Sequence, residues 1–333
     1  MLRVLILIVA LLVVACARPA ERPIGPGAQT PVLAADHIIA ADGYYLPLHR
    51  WLPGDDPRAV VLALHGFNDY GGAFDVLADG FKAQGVALYA YDQRGFGATE
   101  PRGIWAGEQR LVDDAMVAAR LLQERYPEQP LFLVGKSMGG AVTMLALTHE
   151  DAPTVGGSIL IAPAVWGEEV MPWYQQFGLW LGETITPGMR LSADLAQGLG
   201  IAPTDDEAVL EELREDPMVQ REARIDTIEG LSDLMDSALQ ASQALPGPTL
   251  ILYGDQDEII PAEPICLMLR RLPDRQTRPW RMVLYPGGYH MLTRYTEAEQ
   301  VHEDINAWLA DVDGELPSGH EVDRQGARDV LCH

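Results

Sequence analysis

Lysine is almost absent from this chain. Lys82 and Lys136 are the only two among 333 residues, so nearly all of the 24 basic residues are arginine. They stand against 48 acidic residues, which gives a net charge of −24 and a pI near 4.5. A chain this acidic is unsuited to gripping nucleic acid or anionic lipid heads by charge, and no nucleic-acid partner is expected. Cysteine is scarce too, with Cys16, Cys266 and Cys332 alone. No cluster of cysteine and histidine has metal-ligand spacing, so neither a metal nor a cofactor is called for. A Cys266–Cys332 disulfide is compatible with an oxidising compartment, but the apolar helical surroundings of Cys266 read more simply as those of a small buried hydrophobe. Long apolar runs are missing. The run Val4–Ala15 is too short to span a bilayer.

What the N-terminus does have is order. Arg3, the apolar run and then Cys16 form the n-region and h-region of an export signal. Val13-Val14-Ala15-Cys16 resembles a bacterial lipobox. The resemblance implies a signal peptide over 1–15, lipid attachment at Cys16, and a membrane-anchored protein in the cell envelope, facing outside the cytoplasm. The Pro/Gly-rich stretch 16–34 then reads as a tether.

With 48% hydrophobic residues the remainder can bury a large core. Residues 130–150 organise it. Leu131–Val134 is a short apolar run, followed by Gly135-Lys136-Ser137-Met138-Gly139 and a helix-forming run, Ala141–Leu147. With 32 Gly and 7 Ser, composition alone gives on the order of 0.06 chance G-x-S-x-G matches, so the flanking strand and helix are what give the motif weight. Strand, G-x-S-x-G and helix form a nucleophile elbow. It lifts a serine hydroxyl above a sheet at a helix N-terminus, where the next backbone N–H can meet a developing oxyanion.

Strand patterns at 37–41, 44–51, 59–64, 86–91, 157–162, 249–253 and 281–285 alternate with helical ones at 74–84, 108–125, 263–271 and 297–309. The pair flanking Asp42-Gly43 reads as an antiparallel hairpin at a sheet edge, which Pro47 suits. The rest implies an α/β fold with a mostly parallel sheet covered on both faces. Residues 165–235 break the rhythm. They are rich in large apolar side chains, among them Trp166, Trp173, Tyr174, Phe177 and Trp180, and read as a helical cap inserted between core segments 35–164 and 236–312. Trp166, Trp173 and Phe177 are candidate walls of an acyl pocket beneath that cap. Residues 313–333 are polar, without clear periodicity, and read as a mobile tail.

A serine hydroxyl needs a base, and the base needs an orienting carboxylate. On this fold the chain order is Ser, then Asp or Glu, then His. Of the five histidines after Ser137, only His290 lies in a glycine-flanked loop directly after a core strand. For the acid, Asp255, Asp257 and Glu258 compete; Asp257 is favoured by the Ile259-Ile260-Pro261 anchor just beyond it. Phe67, in the loop after the third strand, offers a backbone N–H to pair with that of Met138 as an oxyanion hole. His65 reads as a structural ring of that loop.

His65-Gly66-Phe67, the run 92–97 (DQRGFG), 135–140 (GKSMGG), 254–261 (GDQDEIIP) and 287–290 (GGYH) together resemble the monoacylglycerol lipase and lysophospholipase group of α/β-hydrolase serine hydrolases, as does Asp216-Pro217-Met218-Val219 in the cap. The resemblance covers most of 36–312. It implies Ser137 as nucleophile, Asp257 as acid, His290 as base, the Phe67 and Met138 amides as oxyanion hole, and esters of single fatty acyl chains as substrates. Lys136 stands where the group often has histidine, and Asn68-Asp69-Tyr70 where it often has Gly-Glu-His; both departures bear on the alcohol side of the substrate. Two other readings compete: a serine aminopeptidase using Glu168 or Glu169 to hold a free amine, and a noncatalytic envelope lipoprotein on a hydrolase scaffold.

Overall fold

The computed structural model describes residues 22–54, 56–192 and 201–332. The expected signal peptide and the lipidation site Cys16 lie outside the described residues. Along the chain the strands are β1 Val32–Leu33, β2 His37–Ile39, β3 Tyr45–Trp51, β4 Ala59–Leu64, β5 Val86–Tyr91, β6 Leu131–Lys136, β7 Gly157–Ile161, β8 Arg190–Ser192, β9 Glu222–Arg224, β10 Thr249–Gly254, β11 Trp280–Tyr285 and β12 Glu321–Val322. The α-helices are α1 Asp75–Ala83, α2 Glu108–Arg125, α3 Met138–Thr148, α4 Trp173–Ile185, α5 Glu207–Glu215, α6 Ile225–Ala241, α7 Ala262–Arg271, α8 Ala298–Ala310 and α9 Arg324–Leu331.

All strands except β8 and β9 join one sheet, in the order β1-β2-β3-β5-β4-β6-β7-β10-β11-β12. The centre, from β5 through β4, β6, β7 and β10 to β11, is parallel. Strands buried on both faces have near-continuous apolar sequences, which is what 59–64, 86–91 and 131–134 show. Alternate residues feed opposite faces. Val60, Leu62 and Leu64 of β4 join a core with α2, α3, α6 and α7, while Ala59, Val61 and Ala63 join a second core with α1 and α8. The carboxyl ends of β4, β6, β10 and β11 therefore open on one edge of the sheet, where ligands bind in open α/β folds.

Four sequence expectations change here. β3 is not an edge strand, because β2 and β1 continue the sheet beyond it. Pro47 is tolerated because the β3–β5 ladder begins at Leu48, with only the Pro47 carbonyl engaged, by the Asp92 N–H at 2.9 Å. Residues 313–333 are not a mobile tail. β12 pairs antiparallel with β11, α9 buries Ala327 and Leu331 against α7, and a Cys266–Cys332 disulfide closes the end, with Cα atoms 5.3 Å apart. A two-residue strand and a two-turn helix are too short for periodicity to show, which is why the segment looked structureless. Cys266 is thus a half-cystine, not an isolated buried thiol. The described part of the tether is docked as well: Arg94 donates to the Pro23 carbonyl, and the Gly25, Gly27 and Gln29 N–H groups bond to Asp42 and Ala41.

The insertion after β7 carries α4, the β8–β9 ribbon and α5. Its expected end at residue 235 falls inside α6. Leu234, Met235, Ala238 and Leu239 of that helix are buried in the main core, so α6 is half roof and half core layer.

Candidate active site

Ser137 sits between β6 and α3 at φ +52°, ψ −117°, a conformation that L-residues rarely adopt. Its N–H bonds to the Ile161 carbonyl at 2.9 Å and its carbonyl accepts from Ala164 at 3.0 Å, so β7 holds the strained turn in place. The two motif glycines have steric causes. A Cβ at Gly135 would collide with the Gly139 carbonyl and the Thr143 hydroxyl, and one at Gly139 with the Leu64 and His65 carbonyls. Strand and helix can close on each other only with hydrogen at both places.

His290 follows β11 and Asp257 follows β10. Asp257 Oδ2 accepts from His290 Nδ1 at 2.7 Å, and its Oδ1 accepts from the Ile259 and Ile260 N–H groups at 2.9 Å each. The carboxylate is thus fixed by its own loop, and with Nδ1 bound to it the ring's Nε2 is left for the nucleophile. Asp255 has another task. Its Oδ1 accepts the Gly287 N–H at 2.8 Å, while the Gln256 N–H bonds to the Gly288 carbonyl, so the acid loop and the histidine loop are tied together.

On the facing side, Gly66 lies against Ser137: a Cβ there would stand 3.4 Å from Ser137 Cβ and 4.0 Å from Oγ. His65 is fully buried. Its Nδ1 donates to the Gly66 carbonyl at 2.8 Å and its Nε2 accepts the Gln93 N–H at 2.9 Å. Burial holds its pKa below the ordinary histidine value, so the ring stays neutral and works as a strut. Asp92 ties the same region together, accepting from His49, Gly71 N–H and Ala98 N–H. Burial alone would raise Asp92; these donors outweigh it and hold its pKa below the usual range. The Phe67 and Met138 amides flank Ser137, and neither is bonded to another described residue. They are free donors at the mouth of a helix dipole.

Ser137 and His290 open on a cavity of about 390 Å³. Of the three aromatics proposed for its wall, only Trp166 is there. Trp173 and Phe177 are 76% and 52% exposed, on the outer face of α4 with Tyr174 and Trp180. The inner wall comes instead from Leu213 of α5, Leu231 and Met235 of α6, Val219, Ile259 and Met291. Leu231 and Met235 stand four residues apart on one helix; that spacing was visible in sequence, but the cap boundary drawn at 235 cut through it.

Lys136 and Asp69 also line this cavity. They form a buried ion pair, Nζ to Oδ2 at 3.0 Å, beside the nucleophile. The cap is tied to the same loop, for Tyr70 donates to Asp216 at 2.9 Å and the Gln220 N–H to the Asn68 carbonyl at 2.8 Å. Sequence reading met Lys136, Asn68-Asp69-Tyr70 and Asp216 separately; nothing local announces that they interlock. Glu169 lies away from the cavity, paired with Arg271 at 2.5 Å.

The family model described as serine aminopeptidase, S33, matches residues 55–297. A monoglyceride lipase of Mus musculus is 27% identical over 288 residues, covering 82% of this chain and 89% of that protein. A monoacylglycerol lipase of Mycolicibacterium smegmatis is 28% identical over 282 residues, covering 83% and 96%. The crystal structure of a soluble variant of monoglyceride lipase from Saccharomyces cerevisiae, in complex with a substrate analog, shares the fold, with a TM-score of 0.68 at 24% identity over 87% of this chain and 98% of that one.

Proposed function

This chain belongs to the serine aminopeptidase S33 family of hydrolases, and from that premise we propose that it is a carboxylic-ester hydrolase acting on single-chain acyl esters of the monoacylglycerol or lysophospholipid type. The observation that carries the reading is the cavity over Ser137: its walls are almost wholly apolar, and the one carboxylate among the described residues that line it, Asp69, is already neutralised by Lys136. An acyl chain fits such walls, whereas the free amine of a peptide would find no open carboxylate among the described residues that line them. The similar proteins named as monoacylglycerol and monoglyceride lipases point the same way.

Catalysis would run through an acyl-enzyme. Ser137 Oγ attacks the ester carbonyl while His290 Nε2 takes its proton, and the oxyanion is met by the Phe67 and Met138 N–H groups. The C–O bond then breaks, His290 returns the proton to the leaving alcohol, and water repeats the sequence to free the fatty acid. Asp257 stays ionised, holding the ring and the imidazolium charge.

The enzyme would work at a membrane, held by lipid on Cys16. The lipobox-like run supports this, as does the row of exposed aromatics on α4. Arg22, six residues beyond that cysteine, borders the same surface hollow as Glu183 and Thr184 near the end of α4. A p-nitrophenyl ester series from acetate to palmitate, run beside aminoacyl anilides, tests the substrate reading. A maximum at medium or long chains with no anilide cleavage is expected; preference for anilides would refute it.

A further inference from the structure

A second cavity, of about 570 Å³, lies against the first. Val219 lines both, and its neighbours Pro217 and Gln220 line the second. Its character is opposite. Arg102, Arg190 and Arg221 border it, with Ser192 and Gln220, and Glu222 is the one carboxylate among the described residues that line it. Three of the 24 basic residues of a chain with net charge −24 gather here. Arg102 donates to two carbonyls, Pro217 at 3.0 Å and Met218 at 2.9 Å, so its guanidinium is fixed in place without a carboxylate partner among the described residues. Arg190 meets Glu222 only at 3.9 Å, both half-exposed, a loose pair that an incoming anion can replace. The segment around Val219 is braced from the side of the first cavity, through Gln220 to Asn68 and Tyr70 to Asp216.

We infer that this cavity is an anion subsite for the phosphate of a lysophospholipid headgroup whose acyl ester lies at Ser137; the inference rests on the ester-hydrolase reading and narrows it. Guanidinium groups match phosphate oxygens in geometry and charge. Val219, shared by both cavities, makes them neighbours. In an acylglycerol phosphate six bonds separate the ester carbonyl carbon from phosphorus, about 7 Å when extended, as for two peptide units. The phosphate takes no part in the chemistry: water is added across the acyl ester, and fatty acid and glycerol phosphate leave.

The test compares 1-oleoylglycerol with 1-oleoylglycerol 3-phosphate on the full protein, on Arg102→Gln/Arg190→Gln, and on Arg190→Gln alone, which removes only the loosely paired arginine. The ratio of kcat/KM for the phosphate-bearing over the neutral substrate is expected to fall about tenfold in the double variant, through KM, and in the same direction in the single one. sn-Glycerol 3-phosphate should also raise the Tm of the parent protein, and less so that of Arg190→Gln. An unchanged ratio in both variants overturns the assignment. Inorganic phosphate inhibiting as well as glycerol phosphate would also overturn it, in favour of a free-phosphate site. Failure of the parent to cleave either substrate would instead refute the ester-hydrolase reading, and the Tm comparison would still decide the subsite.

Discussion

Asp69 holds the ammonium of Lys136 buried beside Ser137. Taking two charges out of water is costly, and their attraction repays it only while both are present. Lys136→Met should therefore leave Asp69 stranded and destabilise the fold by about 3–5 kcal/mol, whereas Lys136→Met combined with Asp69→Leu should recover most of the loss. Urea denaturation of the three proteins checks this; equal destabilisation in single and double variants would contradict it. The oxyanion donors behave differently, because they are backbone. Phe67→Ala should keep most activity, losing the edge contact of its ring with Phe96, at 5.4 Å between centroids, and a little of the cavity wall, but not the backbone N–H. Gly66→Val should cost turnover about 100- to 1000-fold, since its side chain would enter the space beside Ser137 Oγ and turn the Phe67 amide away. Steady-state kcat on a p-nitrophenyl ester separates the two. Sequence could single out Ser137, Asp257, His290, Phe67 and Met138 because each belongs to a local motif, and the structure joins Asp257 to His290 and sets His290 and Ser137 on one cavity. The Lys136–Asp69 pair could not, because 67 positions separate its members and only the sheet brings them together.

Secondary elements were readable where they are long and buried on a regular pattern. α2 buries Leu111, Ala115, Met116, Ala119 and Leu122 at helical spacing, and β4, β5 and β6 are unbroken apolar runs. Legibility failed where an element is short or serves two partners. α9 and β12 have ten residues between them, and α6 belongs to the roof and to the core at once. The outward aromatics of α4 misled for a physical reason: an apolar helix face says that something apolar covers it, but not which side of the cap it is on. At this scale the disulfide carries a clear expectation. It closes a loop with a sequence separation of 66, worth about 4 kcal/mol in the loop-closure picture. Cys332→Ser, or reduction, should lower the Tm by several degrees. Ester hydrolysis at 25 °C should be little changed, since α9 packs on α7, away from the cavity. An unchanged Tm would show that β12 and α9 hold without it.

The molecule as a whole should be acid-labile well before its carboxylates are lost. Burial keeps His65 and His302 below the ordinary histidine pKa. Below about pH 6.5 the unfolded chain therefore takes up protons that the folded one does not, and stability falls as pH drops. Asp114 opposes this in part. Burial pushes it up to about 6 against the pull of Arg94, so the folded state holds its proton more readily between about pH 4 and 6. Asp233, also pushed up by burial, opposes it in the same way as Asp114, but both act only towards the carboxylate range, so from pH 7.5 down to about 6 the two rings set the sign. Asp42 and Asp92 add to the loss below about pH 4: burial would raise both, but Arg94 for the one, and His49 with backbone N–H groups for the other, hold them low. Tm should thus decline from pH 7.5 to 5, and Tm by calorimetry across that range checks it. A Tm constant to pH 5 would mean that these rings protonate in place.

Labelling with a serine-reactive fluorophosphonate, followed by peptide mass analysis, tests the central claim most directly. An activated Ser137 should carry the phosphonyl group at one equivalent, and Ser137→Ala should lose both the label and ester turnover, the latter by about a million-fold. Labelling of another residue, or hydrolysis that survives Ser137→Ala, would contradict the assignment of this serine as the nucleophile.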